Sequence, residues 1–121
     1  MAAGKYDFTI EQGATVDFSI TYKDSTGAAV NLTNYSARMQ LRPDFADFTT
    51  TTYLTLSSSL DNDGTGLAIT PVSGSIKIFI SAEKTDTLTF DSALYDLEIY
   101  SGSYVSRLME GNVKLKRSVT R

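Results

Sequence analysis

The chain contains no cysteine, no histidine and no tryptophan, and only two prolines. Without cysteine there is neither a disulfide framework nor a thiolate metal site, and the redox compartment cannot be read from the sequence. Without histidine the usual general base at neutral pH is missing, and with cysteine also absent the strongest nucleophile is gone; Asp, Glu, Lys, Tyr and Ser remain for any chemistry. The cysteine pair and core tryptophan that mark a true antibody domain are absent too. No apolar run approaches the roughly 18 residues of a membrane-spanning helix. The opening "MAAGKYDFTI" lacks the apolar centre of a secretory signal. The expectation is a soluble protein, made in the cytoplasm or exported by a route the sequence does not display.

What is present is a foldable chain. Its 121 residues suit one domain, long enough to bury about two-thirds of the unfolded surface without staples. At 41% apolar and 21% charged residues, the composition is too rich in Ile, Leu, Val, Phe and Tyr for a disordered segment. The net charge of −3 is unevenly spread. Residues 107–121 hold Arg107, Lys114, Lys116, Arg117 and Arg121 against Glu110 alone, a balance of +4, which leaves −7 on the other 106 residues. An acidic body with a basic C-terminal edge argues against a general polyanion binder and suits contact between unlike surfaces.

Apolar residues recur at every second position almost throughout, the period of half-buried strands. Tyr6, Phe8 and Ile10 alternate with polar residues; "EQG" then leads into Val16, Phe18, Ile20 and Tyr22, and the two runs are expected to form a hairpin. "KDSTG" is a turn in which Asp24 can bond its own backbone, and a short strand with Val30 and Leu32 inward should follow. "LTNY" makes a local turn before Ala37, Met39 and Leu41, a run closed by Pro43. A Thr-rich strand is expected over Thr50–Leu56. Leu67–Thr70, a Pro71–Gly74 turn and "SIKIFI" come next. Ser81 is placed as the N-cap of a helix of one or two turns in "SAEKTDTL". Tyr95, Leu97 and Ile99 form a strand, "SGS" turns the chain into Val105–Met109, "GN" is expected to turn it again, and Val113–Val119 completes the last strand. The predicted core is Phe8, Ile10, Val16, Phe18, Ile20, Met39, Leu41, Ile76, Ile78, Leu97 and Ile99. Eight or nine short strands with one helical turn imply an all-β, antiparallel two-sheet sandwich of immunoglobulin-like architecture, a single domain over residues 1–121.

No arrangement of residues points to catalysis. Asp96 and Glu98 share a strand face, but a solvated face explains them without two-carboxylate chemistry. "GTG" at Gly64–Gly66 lacks the lysine and helix of a phosphate loop. "DNDGTG" resembles the opening of a calcium loop through Asp61, Asp63 and Gly64, yet Thr65 and Val72 stand where further oxygen ligands belong, so an ordinary turn is the simpler reading. Nucleic-acid binding is opposed by the acidic body and by aromatics that form no stacking platform. No enzyme, cofactor, metal, small-molecule substrate, nucleic acid or membrane is expected. On the alternating pattern Lys114 and Lys116 share one strand face and Arg117 the other.

The segments "DSTGAAVNLTNYSARMQLRP", "GSIKIFISAEKTDTL" and "ALYDLEIYSGSYVSRLMEGNVKLKRSVTR" resemble small virion proteins of tailed bacteriophages. The shared order is a D-x-x-G turn, an L-T-x-Y segment leading to a strand that ends R-P, a G-x-I-x-I strand with a short S-x-E-x-T helix, a Y-D-L-E strand and a last hairpin ending V-T. The first domain of phage baseplate upper proteins is similar in this sense; the chain departs from them in stopping at Arg121, which points to a stand-alone building block. The resemblance implies a structural protein of the virion, in the tail, baseplate or neck, whose partners are other virion proteins and symmetry-related copies of itself. Arg107, Lys114, Lys116, Arg117 and Arg121 are then the candidate interface. Two alternatives stand beside it: a capsid decoration or cement protein, and a carbohydrate-binding module using Tyr35, Tyr53, Tyr100 and Tyr104.

Overall fold

Residues 4–43 and 52–118 are described by the structure, a computed structural model. Among them, two sheets pack face to face as an all-β sandwich with one short helix. The strands are β1 (Gly4–Lys5), β2 (Phe8–Glu11), β3 (Val16–Thr21), β4 (Ser36–Arg42), β5 (Leu54–Ser57), β6 (Gly66–Thr70), β7 (Ser75–Ile80), β8 (Ser92–Ser101) and β9 (Tyr104–Lys116), with α1 (Ala82–Asp86) before β8. The larger sheet has the order β1-β9-β8-β4-β5, with β2 also paired to β9; the smaller is β3-β7-β6.

Alternation builds the core. Ala37, Met39 and Leu41 of β4, Leu97 and Ile99 of β8, and Ile76, Ile78 and Ile80 of β7 are almost wholly buried, while their polar neighbours face out. Phe8, Phe18 and Ile20 lie on the core side as expected but are only half-buried, because β2 and β3 are outermost where the two sheets part. Leu56, Leu67, Leu88, Phe90 and Val113 complete the core from elements whose burial the pattern did not single out.

Four expectations are corrected. The first is the Tyr6–Tyr22 hairpin: β2 runs parallel to β9, with Phe8 opposite Val113, and β3 pairs antiparallel with β7 in the other sheet. The linking residues explain the crossing. Buried Gln12 donates through Nε2 to the Leu88 carbonyl at 2.8 Å, its backbone N–H donates to the Lys116 carbonyl at 2.9 Å, and its Oε1 accepts from the Ser118 N–H at 3.2 Å. The Thr85 hydroxyl holds the next two residues, accepting from the Gly13 N–H at 3.1 Å and donating to the Ala14 carbonyl at 2.9 Å. The link does turn tightly, the Ala14 N–H donating to the Glu11 carbonyl at 3.0 Å, but it is tied to β9 and α1 and hands the chain to the other sheet instead of back along β2.

The second is the turn at Gly111–Asn112, which instead lies inside β9. There the N-terminal chain crosses close by: the Tyr6 N–H donates to the Glu110 carbonyl at 3.0 Å and the Asn112 N–H to Asp7 Oδ1 at 2.8 Å. A Cβ at Gly111 would run into the Tyr6 carbonyl, so glycine is required by close approach and not by a turn. The third concerns Val30, half-buried in a segment that forms no named strand and has one bridge, Lys23 to Ala29. The fourth is the Thr-rich strand, which begins at Leu54; Thr50 and Thr51 lie outside the described residues.

Other local readings hold. Asp24 Oδ1 accepts from the Thr26 and Ala28 N–H groups at 2.9 and 3.1 Å, fixing the "KDSTG" turn. Asn34, at φ 69°, supplies the left-handed residue of "LTNY". Ser81 caps α1, its Oγ accepting from the Lys84 N–H at 3.2 Å.

Candidate interaction surface

The candidate basic residues lie on or beside β9, which is not a sheet edge. It runs between β8 on one side and β1 and β2 on the other, so the basic edge inferred from the sequence is a face. Val113 and Leu115 point into the core; Lys114 and Lys116 point out, exposed, opposite Thr9 and Glu11 of β2.

Arg107 reaches the same outer face by a different route. Strict alternation would put it inward with Met109, two residues on. A bulge in the β8–β9 pairing prevents this: Leu97 faces Met109, but Glu98 faces Arg107, leaving Leu108 as the extra residue. Arg107 thereby meets Asp96 at 3.4 Å and Glu98 at 3.8 Å, and Arg38 donates through Nε to Glu98 Oε1 at 2.9 Å. Arg38 also lies over the Tyr100 ring, 4.7 Å from its centre. Burial pushes the Asp96 carboxyl above its ordinary value, Arg107 pulls it back, and Glu98 and Glu110 add to the rise. The Asp96–Glu98 pair is thus held by arginines on a solvated face.

Arg117 is exposed but engaged. Its guanidinium donates to the Thr89 carbonyl at 2.6 Å and lies 3.5 Å from Asp91, clasping the end of β9 to the segment before β8. It does not join Val113 and Leu115 on the inner face, because regular pairing ends at Lys116. Arg121 lies outside the described residues. Of the five candidates, Lys114 and Lys116 form an outward pair, Arg107 belongs to an ion-pair network, and Arg117 ties two elements together.

The tyrosines divide as well. Tyr35 and Tyr104 meet edge to face, 6.1 Å between ring centres, with Tyr104 56% exposed. Tyr53 instead stacks on Phe90 at 4.7 Å. The "DNDGTG" segment is a turn locked to the helix cap: Asp63 accepts from the Thr65 N–H at 2.9 Å and from the Ser81 hydroxyl at 2.7 Å, while Asp61 lies 3.4 Å from Lys84. These bonds, that from Ser81 foremost, lower the Asp63 carboxyl from 3.8 to about 2.

Between the outermost strands β2 and β3 runs an open groove of about 430 Å³. Its aromatic lining is a cluster: Phe8 lies 5.2 Å from Phe18 and 5.1 Å from Tyr95, and Tyr6 lies 5.7 Å from Phe18. Asp7, Glu11 and Asp17 stand along it. Only the separation of β2 and β3 into different sheets creates it, so sequence alternation could not reveal it. No protein-family model and no curated protein matches the chain.

Proposed function

We propose that this protein is a non-enzymatic structural component of a tailed-bacteriophage particle, acting by protein–protein contact in the tail, baseplate or neck. The observation that carries the reading is the order of short segments along the chain, which resembles that of small virion proteins. Those segments coincide with framework: the Asp24 turn, the Leu32–Tyr35 turn before β4, the Pro43 end of that strand, β7 with its capped helix, and the β8–β9 hairpin. They are the parts that set the turns and pair the strands.

The partners are other virion proteins and further copies of the chain. Lys114 and Lys116 are the contact residues, since they project from a rigid strand of an acidic protein. A basic face meeting an acidic face elsewhere on a neighbour gives a heterologous contact, which closes into rings or repeats along a tail. The test is double charge reversal, Lys114→Glu with Lys116→Glu. The isolated fold should lose little, about 0 to 1 kcal/mol per exposed charge. Incorporation into particles should fall sharply, and normal incorporation should weaken with salt. Full incorporation of the reversed protein would remove this face from the interface.

A carbohydrate-binding role is the second reading, favoured by the exposed Tyr104 ring braced edge to face by half-buried Tyr35. A glycan array with no signal above background would count against it. A capsid decoration role differs only in location, and labelling intact particles separates head from tail.

A further inference from the structure

We propose that the groove between β2 and β3 is a strand-addition site for an extended, cationic segment of another polypeptide. Three observations converge there. The backbone edge is free: among the described residues β3 pairs only with β7, and β2 only with β9. Apart from the charge of Asp17, that β3 edge lacks the usual guards, being six residues of unbroken alternation, Val16–Thr21, without proline, bulge or inward charge. Beside it lies an aromatic floor, Tyr6, Phe8 and Phe18, that remains partly open to solvent.

Charge decides the occupant. Asp7, Glu11 and Asp17 stand along the groove, and among the described residues no cation lines it. Nearby cations compensate only in part: Lys77 lies 3.7 Å from Asp17 with both side chains about half exposed, and Lys116 stands opposite Glu11 in register on the outer face. A second copy adding by the same edge would bring the two acidic rows together, so the groove disfavours self-pairing. A foreign strand with basic residues at every second position and apolar ones between would place its cations among the carboxylates and its apolar side chains on Phe8 and Phe18. Main-chain bonds to β3 would supply affinity, as in other strand additions. The site does not depend on the particle being a phage, so its failure and the failure of that reading are separate events.

The probe is a capped eight-residue peptide of alternating lysine and valine, titrated into the intact protein and followed by backbone amide shifts. Shifts centred on residues 6–11 and 15–21, weakening with salt and absent with a glutamate–valine peptide, are expected. Glu11→Gln with Asp17→Asn, which places no like charge opposite Lys116 or Lys77, should weaken binding at least tenfold while leaving the fold intact by circular dichroism. Of two peptides N-methylated at alternate positions, the one that loses its inward N–H groups should fail. The proposal is overturned if the shifts lie elsewhere, if the glutamate peptide binds equally, if both methylated peptides bind like the parent, or if the protein alone dimerises through β3 in sedimentation.

Discussion

Asp63 shows how much one side chain decides here. Its carboxylate holds the Thr65 N–H and the hydroxyl of Ser81, the same hydroxyl that caps α1. Because its folded pKa, about 2, lies below the ordinary 3.8, the stabilisation it gives is present above about pH 4 and disappears as pH falls toward 2. Asp63→Asn should therefore lower the denaturant midpoint at pH 7, and the gap between variant and parent should close on acidification; a gap constant from pH 7 to 2 would contradict the assignment. Gly111 acts by absence of a side chain. With the Tyr6 carbonyl against it, Gly111→Ala should destabilise by about 1 to 3 kcal/mol, the usual cost of overpacking, in denaturant melts. Leu97 and Ile78 have no exposure, so truncating either to Ala should cost about 2 to 5 kcal/mol. A loss below about half a kcal/mol would mean their faces are misassigned. These residues differ in legibility. Leu97 and Ile78 were placed by period-two alternation alone. At Gly111 the "GN" pair reads as a turn signal, and the reason it is glycine lies far along the chain, at Tyr6. For Arg107 alternation gives the wrong face, since a single bulged residue, Leu108, reverses it.

At the level of elements, contacts between neighbours in sequence were readable and those between distant segments were not. The β6–β7 hairpin, the β8–β9 hairpin and the capped helix follow from turn residues and alternation beside them. The parallel pairing of β2 with β9 joins residues about a hundred positions apart, and alternation says which face is buried but never which strand lies alongside. That pairing turned an expected edge into a central strand, and a basic edge into a basic face. It also opened the groove beside β3. Gln12 is the residue that signals the crossing, through its bonds to Leu88 and Ser118. For the Asp61–Gly66 turn, the carboxylates are occupied by Ser81, the Thr65 N–H and the nearby Lys84 ammonium. Adding calcium, or removing it with a chelator, should leave the melting temperature unchanged, whereas a real site would raise it with occupancy. A clear calcium-dependent rise would make this turn a metal loop.

The whole molecule pairs a rigid two-sheet framework with two surfaces of unlike charge. Lys114 and Lys116 project from the outer face of β9, and the acidic groove opens between β2 and β3. Such a body suits repeated contacts between different surfaces, where a basic face on one component meets an acidic receiver on the next. The central claim is that the chain is a built-in part of a phage particle. A map of purified particles by electron cryomicroscopy tests it most directly. Density for this sandwich is expected in symmetric copies at the tail, baseplate or neck, with the Lys114–Lys116 face against a neighbour. Particles that lack the chain altogether would contradict it.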